Sequence, residues 1–250
     1  MTVDRPEREL QLAYYAEQGV RQLDPAPGGQ GLHDLPLSML MGFMRWQPVQ
    51  SLLDVGAGTG RALSMIRDAF PTLELHGIEP SPALRRASVE KWGLAPAQLI
   101  YGDASCLPFP DRSIDIVCSF GILHHLRYPR RALEEYCRVA KVAVMVSDAN
   151  VFGQGSPGLR VVKRMIRGLG LWRTVNLVRS RGKGYFWSEG DGIFYSYSLF
   201  DDIDVLERRF AHVLSFNPNR QSRDHYRQSP QIVALGHSES FVDPVGRLPA

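Results

Sequence analysis

Three cysteines are few for 250 residues, and Cys106, Cys118 and Cys137 form no C-x-x-C pair. An odd count without paired spacing argues against a disulfide framework or a thiolate zinc site and fits reduced thiols. No apolar run reaches the length of a membrane span. The opening MTVDRPEREL is charged and holds no apolar leader. Neither sign of charge dominates, since 29 Lys and Arg face 26 Asp and Glu for a formal net charge of +3. So small an excess argues neither for nor against a nucleic-acid partner. No segment repeats. These absences predict a cytoplasmic globular protein, and the apolar fraction of 44% is enough for a sizeable core.

What is present is a glycine turn at a strand–helix junction. The apolar pattern Ser51–Val55 runs into Gly56-Ala57-Gly58-Thr59-Gly60, and a helical pattern opens at Arg61. Glycine lets the backbone turn sharply and approach a ligand, because no Cβ intrudes. The following helix start aims unpaired N–H groups at that ligand. A dinucleotide fingerprint has its third glycine one residue later. Here Gly60 comes early and Arg61 takes that place. Asp54 ends the strand, where a carboxylate repels a pyrophosphate but suits a cationic amine. S-adenosylmethionine (SAM) has that amine, a sulfonium and no phosphate, so the turn argues against a nicotinamide dehydrogenase.

Further strand ends repeat the theme. Leu73–Ile78 leads into Glu79, at the distance where an acidic residue takes ribose hydroxyls. Leu99-Ile100-Tyr101 leads to Gly102-Asp103-Ala104, where Asp103 can accept from an adenine amino group. Ile114–Phe120 exits into Gly121-Ile122-Leu123-His124-His125, and a fifth strand over 142–147 ends at Ser147-Asp148. Ligands of parallel sheets bind beyond the carboxyl ends of strands. Asp54, Glu79, Asp103, His124 and Asp148 therefore converge on one site.

Over Gln50–Val146 the chain resembles the class I SAM-dependent methyltransferases. The resemblance rests on DVGAGTG, the strand ending in Glu79-Pro80-Ser81, the Gly102-Asp103-Ala104 step with its Leu-Pro-Phe turn, and the His-His exit of the fourth strand. It implies a Rossmann-like seven-stranded sheet flanked by helices, with SAM as cofactor and S-adenosylhomocysteine as product. It also implies that Gly56, Ala57, Gly58 and Gly60 line the methionine moiety. Glu79, with Pro80 beside it, would hold the ribose, Asp103 and Ala104 the adenine, and Phe120 would close over the cofactor. It names no acceptor.

The expected organisation is one methyltransferase domain over 1–250. An N-terminal helical cap covers 1–48, with helices over Glu7–Val20 and Pro36–Arg45. Tyr14 of this cap is a candidate cofactor wall, the alternative being helix packing. The SAM core spans 49–150, a lid insertion 151–197, a closing helix and strand pair 198–237, and a fraying tail 238–250. In the lid, Pro157–Arg179 has helical apolar spacing interleaved with Arg160, Lys163, Arg164, Arg167, Arg173 and Arg179. Three readings stand: a lid that buries its apolar face and wets its basic face, a wall for an anionic substrate, or an amphipathic helix on an anionic membrane. The Glu189-Gly190-Asp191-Gly192 step between two aromatic arms predicts a hairpin.

Methyl transfer to a hydroxyl or ammonium needs a base. His125, His124 and Asp148 are the candidates, His125 first. No spaced ligand motif supports a metal, so none is assigned, although His124, Asp148 and Asn150 offer ligand atoms. The expected activity is methyl transfer to an oxygen of a small or medium acceptor, a sugar or glycan precursor or a specialised metabolite. The alternatives are a protein or RNA methyltransferase and a non-catalytic SAM-binding subunit. The Asn/Asp-Pro-Pro-aromatic step of base methylation is absent after strand four. A monomer or homodimer is expected, with an acceptor that can be anionic.

Overall fold

In a computed structural model, residues 5–19, 23–25, 29, 31–218 and 224–238 are described. The expected tail over 239–250 lies outside them. Strands β1 (Ser51–Val55), β2 (Glu74–Ile78), β3 (Leu99–Ile100), β4 (Ile114–Phe120), β5 (Ala140–Ala149), β8 (His212–Phe216) and β9 (Gln231–His237) form one sheet in the order β3-β2-β1-β4-β5-β9-β8. The first five run parallel, and β9 lies antiparallel between β5 and β8. Every residue of β1 is buried, as a central strand covered on both faces requires.

Helices cover both faces. On one, α2 (Asp34–Trp46) and α3 (Arg61–Ala69) bring Leu37, Leu40, Met44, Leu63 and Ile66 onto the sheet. On the other, α5 (Pro129–Val139) and α8 (Ile203–Arg209) bring Leu133, Tyr136 and Leu206. Helix α4 (Pro82–Trp92) starts with Ser81 as N-cap and Pro82 in its first turn. This is the doubly wound arrangement expected, and it places the carboxyl ends of β1, β2, β4 and β5 side by side.

Three elements differ from expectation. The first helix, α1 (Arg5–Tyr14), gives way at Tyr15–Gly19 to a wider turn. Helix α2 begins before Pro36, which a first helical turn tolerates because its missing N–H needs no partner there. The expected helix over Pro157–Arg179 divides into α6 (Pro157–Gly168) and α7 (Trp172–Arg179), with Gly170 left-handed at φ +72° between them. Strands β6 (Phe186–Ser188) and β7 (Gly192–Phe194) form the expected hairpin. Residues 151–197 add no strand to the main sheet. A last short helix, α9 (His225–Gln228), precedes β9.

Candidate active site

A cavity of about 840 Å³ opens over the carboxyl ends of β1, β4 and β5. Asp54, Gly56, Ala57, Gly58, Glu79, Phe120, His124, His125, Asp148 and Tyr14 line it. A smaller cavity of about 150 Å³ adjoins it, sharing Gly56, Glu79 and His125, and holds Pro80, Asp103 and Ala104 in its wall. Gly60 lines neither. It starts α3 at φ +80°, and a Cβ there would meet Leu94 at 2.5 Å, so its bareness serves the turn and helix packing. Gly56 stands at φ +75° with Ile122 2.4 Å from the place its Cβ would occupy.

The two carboxylates by the turn differ from ordinary ones. Asp54 is buried, and its one partner among the described residues is the Cys118 thiol at 3.8 Å. Burial pushes it up to about 7. Glu79 is likewise pushed up to about 7 by burial, although its oxygens accept from Gly58 N at 3.1 Å and Ser81 N at 2.7 Å. Arg61, at the position a dinucleotide fold gives to glycine, is held instead in a fork to Asp34 at 2.5 and 3.0 Å. That pair joins α3 to α2.

The second cluster forms where β4 exits. Asp148 accepts from the backbone N–H groups of Leu123 at 2.7 Å, His124 at 3.3 Å and Ala149 at 2.7 Å, and from His124 Nδ1 at 2.8 Å. His124 Nε2 lies 3.3 Å from Asp191 at the hairpin tip. Burial pulls the His124 imidazole down, but the carboxylates on either side outweigh it and hold it up to about 10. Asp148, despite its burial, is held below the usual carboxylate range by His124 and the backbone donors. His124 is thus charged and doubly paired, and Asp148 is saturated with donors.

His125 is the neutral member. Its Nδ1–H donates to the Ile193 carbonyl at 2.5 Å, because a carbonyl can only accept. That leaves Nε2 as the basic nitrogen, 3.5 Å from Asp191. Burial and the charge on His124 pull its pKa down to about 4. The nitrogens of His124 and His125 and the Asp191 carboxylate lie within 4.8 Å of one another, a group that could take a cation. The ligand set considered from sequence does not form. Asn150 turns away, donating to the carbonyls of His225, Tyr226 and Ser229 and accepting from Phe152 N and Ser198 Oγ.

The residues of the sheet carry a methyltransferase signature that comparison bears out. The family model described as "Methyltransferase domain" matches residues 53–145. The malonyl-[acyl-carrier protein] O-methyltransferase of Methylococcus capsulatus is 31% identical over 208 residues, covering 81% of this chain and 73% of that protein. The demethylmenaquinone methyltransferase of Renibacterium salmoninarum is 40% identical over 95 residues, 38% of each chain. A solved SAM-dependent methyltransferase from Methanosarcina mazei shares the fold at a TM-score of 0.53 and 15% identity, over 78% of this chain and 96% of that one. The chain belongs to the class I SAM-dependent methyltransferases.

SAM is accordingly the cofactor of this methyltransferase, and the cavity fits it. An ammonium would give the buried Asp54 carboxylate, otherwise met among the described residues by the Cys118 thiol alone, a charged partner, and the bare backbone at Gly58 leaves room for close approach. Tyr14, expected as a cofactor wall, also does another job. Its hydroxyl donates to the Glu189 carbonyl at 3.0 Å and its ring packs edge-on against Trp187, so it anchors the hairpin. Sequence reasoning missed Asp191 as a lining residue, and of the lid cations it offered as a wall for an anionic substrate, Lys163 and Arg179 line the cavity. The acidic hairpin tip was the one visible signal for Asp191. Nothing local marks which lid cations turn inward.

Proposed function

We propose that this methyltransferase acts on an oxygen of a small or medium acceptor that carries an anionic group. What supports this is the polarity of the cavity. Carboxylates Asp54 and Glu79 stand at the glycine turn, whereas the lid contributes Lys163 and Arg179. Those two cations are close enough that Arg179 and burial together lower Lys163, and neither has an acidic partner among the described residues. Like charges held together in a pocket favour an anion between them. A sugar phosphate or a carboxylated metabolite offers both the anion and the hydroxyl. The relative named as an O-methyltransferase supports oxygen as the accepting atom.

SAM, when bound, supplies an electrophilic methyl on a sulfonium. The chain's own residues do the rest. Nε2 of His125 would take the proton of the acceptor oxygen that receives the methyl group. Ile193 fixes the His125 tautomer, and Asp191 faces the imidazolium that results. His124 and Asp148 hold the turn that carries His125. The hairpin and Tyr195 cover the site and exclude water from the nucleophile.

The test is release of S-adenosylhomocysteine from SAM with paired acceptors, each sugar or hydroxy acid offered with and without its phosphate or carboxylate. Turnover confined to the anionic member, with KM raised about tenfold or more by Arg179→Ala, is expected. Turnover of neutral members at unchanged KM in Arg179→Ala would overturn the anionic assignment.

A further inference from the structure

Helix α6 is amphipathic with its faces reversed. Leu159, Val162, Met165 and, just past the helix, Leu169 recur at helical spacing, and all are exposed, Met165 at 63% and Leu169 at 72%. The basic residues take the opposite side. Arg160, Lys163, Arg164 and Arg167 are half-buried. Lys163 donates to the carbonyls of Val151 and Gln154, and Arg167 lies over the Phe152 ring and pairs with Asp201. No residue of α6 is buried. Helix α7 continues the outward apolar surface with Leu171 before it and Leu177 and Val178 within it, Val178 at 73% exposure. The lid that would bury its apolar face and wet its basic one is therefore not the lid the chain builds.

A contiguous aliphatic surface facing outward marks an interaction site. Its charge surroundings say what it meets. Residues 151–197 hold eight Lys and Arg against Glu189 and Asp191, which leaves twenty-one against twenty-four in the rest of the chain. The cations are thus concentrated in the lid, and Arg173, Arg181 and Lys183 are exposed beside the apolar surface without an acidic partner among the described residues. A second copy would set the same cationic rim against itself, since a two-fold contact pairs a patch with its own image. Aliphatic side chains without hydrogen-bonding groups, rimmed by Arg and Lys, match acyl chains beneath anionic headgroups.

We infer that α6 and α7 dock on an anionic membrane surface through Leu159, Val162, Met165, Leu169 and Val178, with Arg173, Arg181 and Lys183 on the headgroups. Lys163 and Arg179, on the same two helices, line the cavity, so the elements that dock also wall the acceptor site. This contact stands apart from the choice of acceptor, and its test needs no turnover.

Flotation of the full chain with vesicles of phosphatidylcholine alone, or with about one-third phosphatidylglycerol, decides it. The chain is expected to float with the anionic vesicles only, and less at high salt. The paired variant Val162→Asp, Met165→Asp, at exposed positions, should lower the bound fraction roughly tenfold with SAM binding by calorimetry unchanged. Arg173→Glu with Arg181→Glu should do the same. A wild-type chain that stays with the soluble fraction overturns the inference, as does equal flotation of the aspartate variant. A dimer in solution broken by that variant, or capture of an acidic carrier protein in place of vesicles, overturns it too.

Discussion

Oδ1 of Asp148, at the end of β5, lies 2.8 Å from Nδ1 of His124, in the turn that leaves β4. One carboxylate thereby ties two neighbouring strand ends together and settles which histidine stays neutral. The Asp148→Asn substitution removes the charge and leaves the buried imidazolium with Asp191 as its one carboxylate partner among the described residues, which should cost about 2 kcal/mol of stability. The pH dependence has a definite sign. His124 is raised to about 10, so its contribution is complete below its ordinary value and fades as pH climbs toward 10. Asp148 is lowered, so its contribution fades on acidification below the ordinary carboxylate range. Urea unfolding of wild type and variant should differ most between about pH 4 and 6.5. A constant gap from pH 5 to 10 would contradict this pairing.

The hairpin is held by the same chain of charges. Asp191→Asn leaves His124 with Asp148 alone and removes the carboxylate facing His125. Amides of β6 and β7 should exchange with solvent about tenfold faster, with those of β1 and β4 unaffected. Hydrogen exchange read by mass spectrometry distinguishes this from general destabilisation, which would quicken exchange throughout.

Cofactor affinity should depend on pH through Asp54 and Glu79. Both are raised to about 7, so in the ligand-free protein they favour folding at acid pH and oppose it as pH rises through 7. The SAM ammonium favours the ionised Asp54. Affinity measured by calorimetry should therefore strengthen from pH 6 to 8, by up to about tenfold per unit for each group below its pKa, and then level off. Asp54→Asn should weaken binding and flatten that slope. The part due to Glu79 should remain, whereas a slope unchanged by the substitution would place the linkage elsewhere than Asp54.

Two glycines of one turn should fail differently. At Gly56 a methyl group would strike Ile122, and the backbone is left-handed. At Gly58 the backbone is left-handed too, but the nearest atom to a Cβ is Leu23 at 3.7 Å. Gly58→Ala should cost about 1 kcal/mol from backbone strain alone, and Gly56→Ala more. Against a background of Ile122→Ala, which removes the Cγ2 that the added methyl would strike, the loss at Gly56 should shrink and the loss at Gly58 should not, as thermal unfolding of the double variants would show.

The sheet was legible because its signals are local. Strand periodicity, the glycine turn and the carboxylates at strand ends all lie within a few residues of one another, and the order of elements fixes where they meet. The site was legible only up to its partners. The sequence offers His124, His125 and Asp148 as candidates and places His125 first without geometry to support the order. What separates the two histidines is Asp148 on Nδ1 of His124 and the Ile193 carbonyl on Nδ1 of His125, the latter sixty-eight residues further on and within reach only because the hairpin folds back. The lid was left with three readings for the same reason. Periodicity reveals that α6 has two faces, but burial decides which one points inward, and there Lys163 and Arg167 find carbonyls and Asp201 that no local pattern announces.

The separation of roles between Asp54 and His125 should appear in kinetics. An ordinary histidine base would lose activity below about pH 6.5. His125 is held down to about 4 by burial and by the charge on His124, so its basic form persists well below neutrality. With SAM saturating, kcat should hold nearly level from pH 8 to about pH 5. The ratio of kcat to KM for SAM should instead decline below about 7, where the carboxylates near the glycine turn take up protons. His125→Asn should lower kcat by roughly a hundredfold or more with little change in SAM affinity, because the proton transfer is lost and the cofactor contacts are not. An acid limb near 6.5 in kcat itself, or a His125→Asn variant that turns over at the wild-type rate, would remove His125 from the role of base.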